Sequence, residues 1–198
     1  MGHYFTNENL ESNIQEFKIK INNCDFTFKT DNGVFSKGEL DFGTNLLIKN
    51  VLERKISGEV LDLGCGYGPI GITLAKLLNC QMTMIDVNKR AVHLTKMNIK
   101  DNGVNNTEVL VSEGYNELKD RKYDYIVSNP PIRVGKQILY DLLIKAKDHL
   151  KENGEMYIVV RKEQGANSLI RDMSAYYQVE VIDKDKGFFI ILLKWNMV

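Results

Sequence analysis

The sequence predicts an α/β domain: a seven-stranded mixed sheet ending in a C-terminal antiparallel hairpin, with an added N-terminal β-hairpin. Three observations carry this. Short apolar runs alternate with stretches of helical periodicity from Thr44 to about Tyr176. A glycine-rich segment, Asp62-Leu63-Gly64-Cys65-Gly66-Tyr67-Gly68, falls between the first of these strands and the helix after it. The connections are short throughout, as in a compact unit. At 198 residues the chain is long enough for one α/β domain and too short for two. The reading therefore divides it into a hairpin extension, 1–40, packed on a main domain, 41–198.

Taken in order, Glu16 to Thr30 alternates as two strands around Asn22-Asn23, and reads as an edge or cover for the main sheet. Phe35 and Phe42 flank a polar, glycine-containing loop, after which Leu46, Leu47, Ile48, Val51 and Leu52 supply a helix with a wide apolar face. Val60-Leu61 enters the glycine segment, Pro69 opens a helix to Leu78, and a second strand ends on Asp86. A helix over Asn88 to Lys100 stops at Asn102-Gly103. Thr107 to Val111 is a strand leading into Ser112-Glu113-Gly114, and Tyr123 to Val127 is another, leading into Ser128-Asn129-Pro130-Pro131-Ile132-Arg133. The pattern then predicts a helix from Leu139 to Leu150 stopped by Asn153-Gly154, and a strand from Glu155 to Val160. The basic loop Arg161-Lys162-Glu163-Gln164 leads to a helix around Ser168 to Tyr176, and Gln178 to Ile182 with Phe188 to Lys194 forms the closing hairpin.

Composition excludes several classes. Lys plus Arg equals Asp plus Glu at 26 each, so any nucleic-acid-binding face is a local patch rather than a global charge. The three cysteines show no C-x-x-C spacing and the three histidines are scattered, which argues against a metal site and for reduced thiols. No run of eighteen apolar residues and no signal-peptide layout is present, so a soluble, cytoplasmic protein that binds no membrane is expected.

The glycine segment brings backbone N–H groups against a ligand at a helix N-terminus, and the acid Asp86, about twenty residues on, is placed to accept hydrogen bonds from ribose hydroxyls. Glycine counting alone also fits a nicotinamide dinucleotide, through Gly66-Tyr67-Gly68-Pro69-Ile70-Gly71. Register distinguishes the two, because Asp62 precedes the first glycine. A carboxylate there repels a pyrophosphate and suits a cationic amino-acid head group. Asn129-Pro130-Pro131 is a rigid, donor-poor turn whose carbonyls point in fixed directions.

In this order, Asp62 to Gly68, Asp86 and Asn129-Pro130-Pro131 resemble class I S-adenosylmethionine-dependent methyltransferases acting on planar exocyclic nitrogens. The nearest likeness is to the ribosomal RNA guanine-N2 methyltransferases of the small-domain group, to which Leu40 to Leu47 and Arg161 to Ala166 are also similar. The resemblance implies a Rossmann-like fold and S-adenosyl-L-methionine as cofactor, held by Asp62, Gly64, Gly66, Gly68, Asp86, Glu113 and Asn129. It implies catalysis by Asn129 and Pro130, whose oxygens accept the amino N–H bonds and aim the lone pair. Ribosomal RNA or a ribosomal subunit, with the small subunit favoured, would be the partner, and Pro131, Ile132, Arg133, Lys136, Arg161, Lys162 and Phe35 would contact it. The group commonly has an aromatic residue after the two prolines, where this chain has Ile132. Some members carry a second, degenerate half ahead of the catalytic one, and no such half is expected here. The same turn also serves enzymes acting on adenine N6 or on a protein glutamine. A non-catalytic cofactor-binding regulator and a nicotinamide dehydrogenase stand as readings from other classes.

Overall fold

A computed structural model of the chain describes residues 11–34, 38–131 and 135–195. Five parallel strands make up most of the main sheet: β3 (Gly58–Leu63), β4 (Cys80–Asp86), β5 (Thr107–Val111), β6 (Tyr123–Ser128) and β7 (Leu150–Arg161). Two antiparallel strands, β8 (Gln178–Asp185) and β9 (Phe188–Lys194), close one edge, giving the order β5-β4-β3-β6-β7-β9-β8. The strand order reverses between β3 and β6, where open α/β sheets place their ligands outside the carboxyl ends of the strands. Asp62 is level with Val127, so the loops after Leu63 and Ser128 leave neighbouring strands side by side. The Ser128 hydroxyl donates to the Leu63 carbonyl at 2.7 Å and fastens the two ends together.

Helices cover both faces because the central strands are apolar on both sides. Helices α1 (Phe42–Arg54), α2 (Pro69–Leu77) and α3 (Lys89–Asp101) bury one core, with Leu47, Ile48, Val51, Ile72 and Leu74 inaccessible to solvent. On the other face α4 (Lys136–Lys145) and α5 (Ala166–Met173) cover Leu61, Ile126, Met156, Ile158 and Ile191. The caps are local. Asp41 accepts the Thr44 N–H, Asn88 accepts those of Arg90 and Ala91, and Pro69 takes the first position of α2.

One boundary differs from the sequence pattern. The helix expected to reach Leu150 ends at Lys145, a 3-10 turn covers Ala146–His149, and Leu150 already pairs with Tyr123 as the first residue of β7. Leu139, Leu143, Ala146 and Leu150 have helical spacing and are all buried in one core, but three kinds of backbone deliver them there. Asn153, at φ 59°, and Gly154 bend the strand instead of stopping a helix.

The N-terminal hairpin, β1 (Gln15–Ile21) and β2 (Cys24–Thr30), is a separate two-stranded sheet, not an edge of the main one. It is held by two asparagines one turn apart on α3. Asn98 accepts the Lys29 N–H at 2.7 Å and donates to the Lys29 carbonyl at 3.0 Å; Asn102 does the same to Thr27 at 3.0 and 2.7 Å. Side-chain amides thus stand in for a third strand. Asn98 also donates to the Tyr67 carbonyl at 2.8 Å, and Phe17 and Phe28 pack edge-on against the Tyr67 ring. The hairpin therefore braces the glycine loop. Asn98→Ala removes the three hydrogen bonds to Lys29 and Tyr67 and is expected to cost about 3 kcal/mol in urea unfolding. Hydrogen exchange of the Lys29 amide should accelerate more than that of Ile126.

Candidate active site

The glycine loop leaves β3 at Leu63 and is fixed from outside. Gly64 and Cys65 N–H both donate to the Ile85 carbonyl at 2.9 Å, Thr95 donates to the Gly66 carbonyl at 2.8 Å, and Asp86 Oδ2 accepts the Gly66 N–H at 2.9 Å. Asp86 Oδ1 accepts the Asn88 N–H at 2.8 Å. Burial pushes the Asp86 carboxyl up from its ordinary value, against these backbone donors. Gly64 and Gly66 adopt φ of 75° and 59°, and a Cβ on either meets nothing within 4 Å. The loop is a cradle with open space before it. Gly71 has the opposite constraint, since a Cβ there would collide with the Met84 side chain and crowd Asp62. Gly68, at φ 90°, is the N-cap of α2 and lets the chain turn into it.

Asp62 lies beneath this loop with no exposed surface. Its Oδ2 accepts the Gly71 N–H at 2.8 Å, in the first turn of α2, while its buried Oδ1 has no protein partner. An orphaned buried oxygen costs on the order of 1–3 kcal/mol, relieved by a proton or by a ligand cation. Burial, aided by the nearby Asp86 charge, pushes the carboxyl up to about 7. The open cradle and the half-satisfied carboxyl fit the sulfonium cofactor's cationic amino-acid portion better than a pyrophosphate.

Across the switch point, Asn129 is half-buried, Pro130 buried and Pro131 exposed. The Asn129 amide is held by residues some eighty-five positions earlier. Its Nδ2 donates to Thr44 Oγ1 at 2.9 Å and approaches Asp41 Oδ2 at 3.4 Å, and the Thr44 hydroxyl donates to the same Asp41 oxygen at 3.3 Å. Asp41 is simultaneously the N-cap of α1, accepting the Thr44 N–H at 3.0 Å. With the nitrogen side bound, Oδ1 is the face of the amide left to accept. Among the described residues nothing donates to Asn129 Oδ1 or to the Pro130 carbonyl. Asp41 and Thr44 lie in the Leu40 to Leu47 segment, but no local pattern announces a contact to residue 129.

The remaining predicted residues divide. Glu113 is exposed beyond the end of β5, while the neighbouring Ser112 hydroxyl is committed to its own turn, donating to the Gly114 carbonyl at 2.8 Å. Lys136 pairs with Asp172 at 3.2 Å and sits over the Tyr140 ring, beside a shallow cavity of about 300 Å³. Arg161 and Lys162 are exposed at the end of β7. Phe35, Ile132 and Arg133 lie outside the described residues.

A sheet with this order, carrying a glycine cradle with its acids on one side of the switch point and an oriented amide on the other, is that of a class I methyltransferase. The family model of the methyltransferase small domain matches residues 25–192. The chain belongs to this family of S-adenosylmethionine-dependent methyltransferases. That membership settles the register question against a nicotinamide cofactor. Among its relatives, an uncharacterized Bacillus subtilis (strain 168) protein, YbxB, is 41% identical over 97% of this chain and 98% of its own length. The ribosomal RNA small subunit methyltransferase C of Haemophilus influenzae (strain PittGG) is 38% identical over 74% of this chain and 45% of that protein. The chain spans about half the length of the methyltransferase C relatives it matches, 54% of the Aeromonas hydrophila one for example. Among solved structures, the T. thermophilus 16S rRNA N2 G1207 methyltransferase, in complex with AdoMet and guanosine, superposes with a TM-score of 0.82 at 23% identity, over 92% of this chain and 51% of that one. A ribosomal protein L11 methylase from Lactobacillus delbrueckii subsp. bulgaricus gives 0.68 at 18% identity, over 80% and 81% of the two chains.

The Asp62 carboxyl sets a pH dependence. Its folded value lies above its unfolded one, so the stabilisation associated with its proton is full below about pH 4 and is lost as pH climbs through about 7. Without ligand, urea unfolding should show stability falling between about pH 4 and pH 8 by up to about 4 kcal/mol, with Asp62→Asn flattening the decline.

Proposed function

We propose that this enzyme transfers the methyl group of S-adenosyl-L-methionine to the exocyclic N2 amino group of a guanine in ribosomal RNA, small-subunit RNA in particular. The observation carrying this reading is the orientation of the Asn129 amide, with its nitrogen tied to Thr44 and Asp41 and its oxygen free to accept. The methyltransferase C relatives support the choice of small-subunit ribosomal RNA, and the guanosine-bound structural neighbour supports the choice of base. A ribosomal substrate suits a chain with no net charge only if a local basic face exists, and exposed Arg161 and Lys162 lie at the end of β7.

A guanine amino group is a poor nucleophile because its lone pair is delocalised into the ring. Asn129 Oδ1 and the Pro130 carbonyl each accept one of its N–H bonds, which turns the lone pair out of the ring plane and towards the donor methyl. The same two oxygens stabilise positive charge as it grows on nitrogen. The hydrogen-bond chain Asn129–Thr44–Asp41 ends on a carboxylate, and polarisation along it makes Oδ1 a better acceptor. Pro130 and Pro131 restrict the turn so that both acceptors keep their direction. The bound cofactor supplies the reactive sulfonium methyl. Asp62, Asp86 and the Gly64 to Gly68 loop would hold its amino-acid and ribose portions, and Glu113 would accept from the adenine amino group. Pro131, with Ile132, Arg133, Lys136 and Phe35, completes the proposed substrate side. A base within a helix is flipped out to reach Asn129.

The direct test is incubation with radiolabelled cofactor and, in parallel, ribosomal RNA, small subunits, DNA and a glutamine-bearing protein factor, followed by nucleoside digestion. Label in N2-methylguanosine is the expected result; label in N6-methyladenosine or in protein would replace the reading. Asn129→Ala should lower kcat by at least about a hundredfold, with cofactor affinity unchanged to within about threefold. Thr44→Val should lower kcat by roughly tenfold, with Thr44→Ser restoring it. A Thr44→Val enzyme as fast as the parent would show that Asn129 needs no holding.

A further inference from the structure

Beside the Asn129 turn lies a cationic and aromatic face that includes a turn far from every motif in the sequence. The Phe42 and Phe188 rings pack at 5.4 Å between centroids. Phe188 lies against the first turn of α1, where a Cβ on Gly43 would come within 2.6 Å of its ring. Each ring carries a cation: the Arg161 guanidinium is 4.6 Å from the Phe188 centroid and the Lys186 ammonium 4.7 Å from that of Phe42. The Lys162 N–H donates to the Gly187 carbonyl at 2.8 Å, fastening the β7 exit to the turn between β8 and β9.

These cations differ from the eight that the protein's own acids neutralise. Lys20, Lys29, Lys136, Lys151, Lys194, Arg90, Arg121 and Arg171 all form ion pairs. Among the described residues, Arg161, Lys162 and Lys186 form none, although Glu163 and Asp185 are close in sequence and exposed. A cation seated on an aromatic ring keeps its full charge while losing mobility, which suits it to meet a phosphate. The position is informative too. Phe42 directly follows Asp41, the carboxylate that approaches the Asn129 amide. Lys136, by contrast, is paired with Asp172 on α5.

We infer that Arg161, Lys162 and Lys186, set over Phe42 and Phe188, bind the phosphates of the RNA strand flanking the target base. This rests on the reading of RNA as substrate, and it brings in the β8–β9 turn as part of the recognition surface. The polymer enters across the first turn of α1, so the helix that orients Asn129 through Thr44 also carries one wall of the docking face. Cation–ring contacts fix the positive charges before the strand arrives, which lowers the ordering cost of binding.

The test is fluorescence anisotropy of labelled single-stranded ribosomal RNA fragments with the full chain across a salt series. Arg161→Gln and Lys186→Gln should each lower the slope of log affinity against log salt by about 0.7, and the double variant by about 1.4. The double variant should bind at least about tenfold more weakly, with cofactor affinity retained. Lys122→Gln, at the opposite end of β6, serves as the control and should match the parent. A double variant with parental affinity and slope overturns the inference, as does a parent protein that binds a protein factor and not RNA. RNA held through this face but not methylated at guanine N2 would refute the assigned target and leave the docking surface standing.

Discussion

A primary amide has two ends of opposite character, and a catalytic asparagine is useful only if the correct end faces the substrate. In the proposed mechanism Asn129 is that asparagine: Thr44 and Asp41 take up its nitrogen and leave its oxygen free to accept. The reverse orientation would set the carbonyl oxygen against a carboxylate and present donors to a group that itself needs acceptors. The cap of α1 is thereby more than a helix start. Asp41 closes the helix N-terminus and anchors the amide through one oxygen, so the packing of α1 on β7 and β9 sets the direction of a side chain at the end of β6.

The cofactor side is built on the same economy of backbone. The glycine loop holds its shape because its carbonyls and N–H groups are claimed from behind by Thr95, Asn98 and Asp86, leaving its front open. The N-terminal hairpin reinforces that arrangement from outside, through two asparagines that imitate a strand and through aromatic packing on Tyr67. Stability and ligand geometry are therefore coupled. What fastens the hairpin also fastens the loop, and the buried Asp62 beneath it carries an electrostatic cost that the proposed cofactor's cationic end would relieve.

Elements whose causes are local were legible from residues alone. The glycine loop, the acid ending β4, the two-proline turn and most strands follow from periodicity and backbone chemistry within a few positions of each other, and the sheet brings them to the ends of neighbouring strands. The end of α4 was not legible, because Leu139 to Leu150 keeps a helical spacing that the core satisfies with helix, 3-10 turn and strand in succession. Nor were Asp41 and Thr44 as partners of Asn129, or Asn98 and Asn102 as a surrogate strand. Those roles depend on contacts spanning roughly seventy to ninety positions, and polar residues on a helix look alike until the fold brings their partners near. The pairing of Arg161 and Lys186 with two rings likewise emerges only once the chain is folded.

The central claim is that one amide, locked by its nitrogen, receives the target amino group on its oxygen. It is tested most directly by a crystal structure of the protein with a stable sulfonium-cofactor analogue and guanosine. Guanine N2 is expected within hydrogen-bonding distance, about 3 Å, of both Asn129 Oδ1 and the Pro130 carbonyl, with Nδ2 still on Thr44. A guanosine bound with its amino group away from Asn129, or an Asn129 amide turned so that its oxygen meets Thr44, would contradict it.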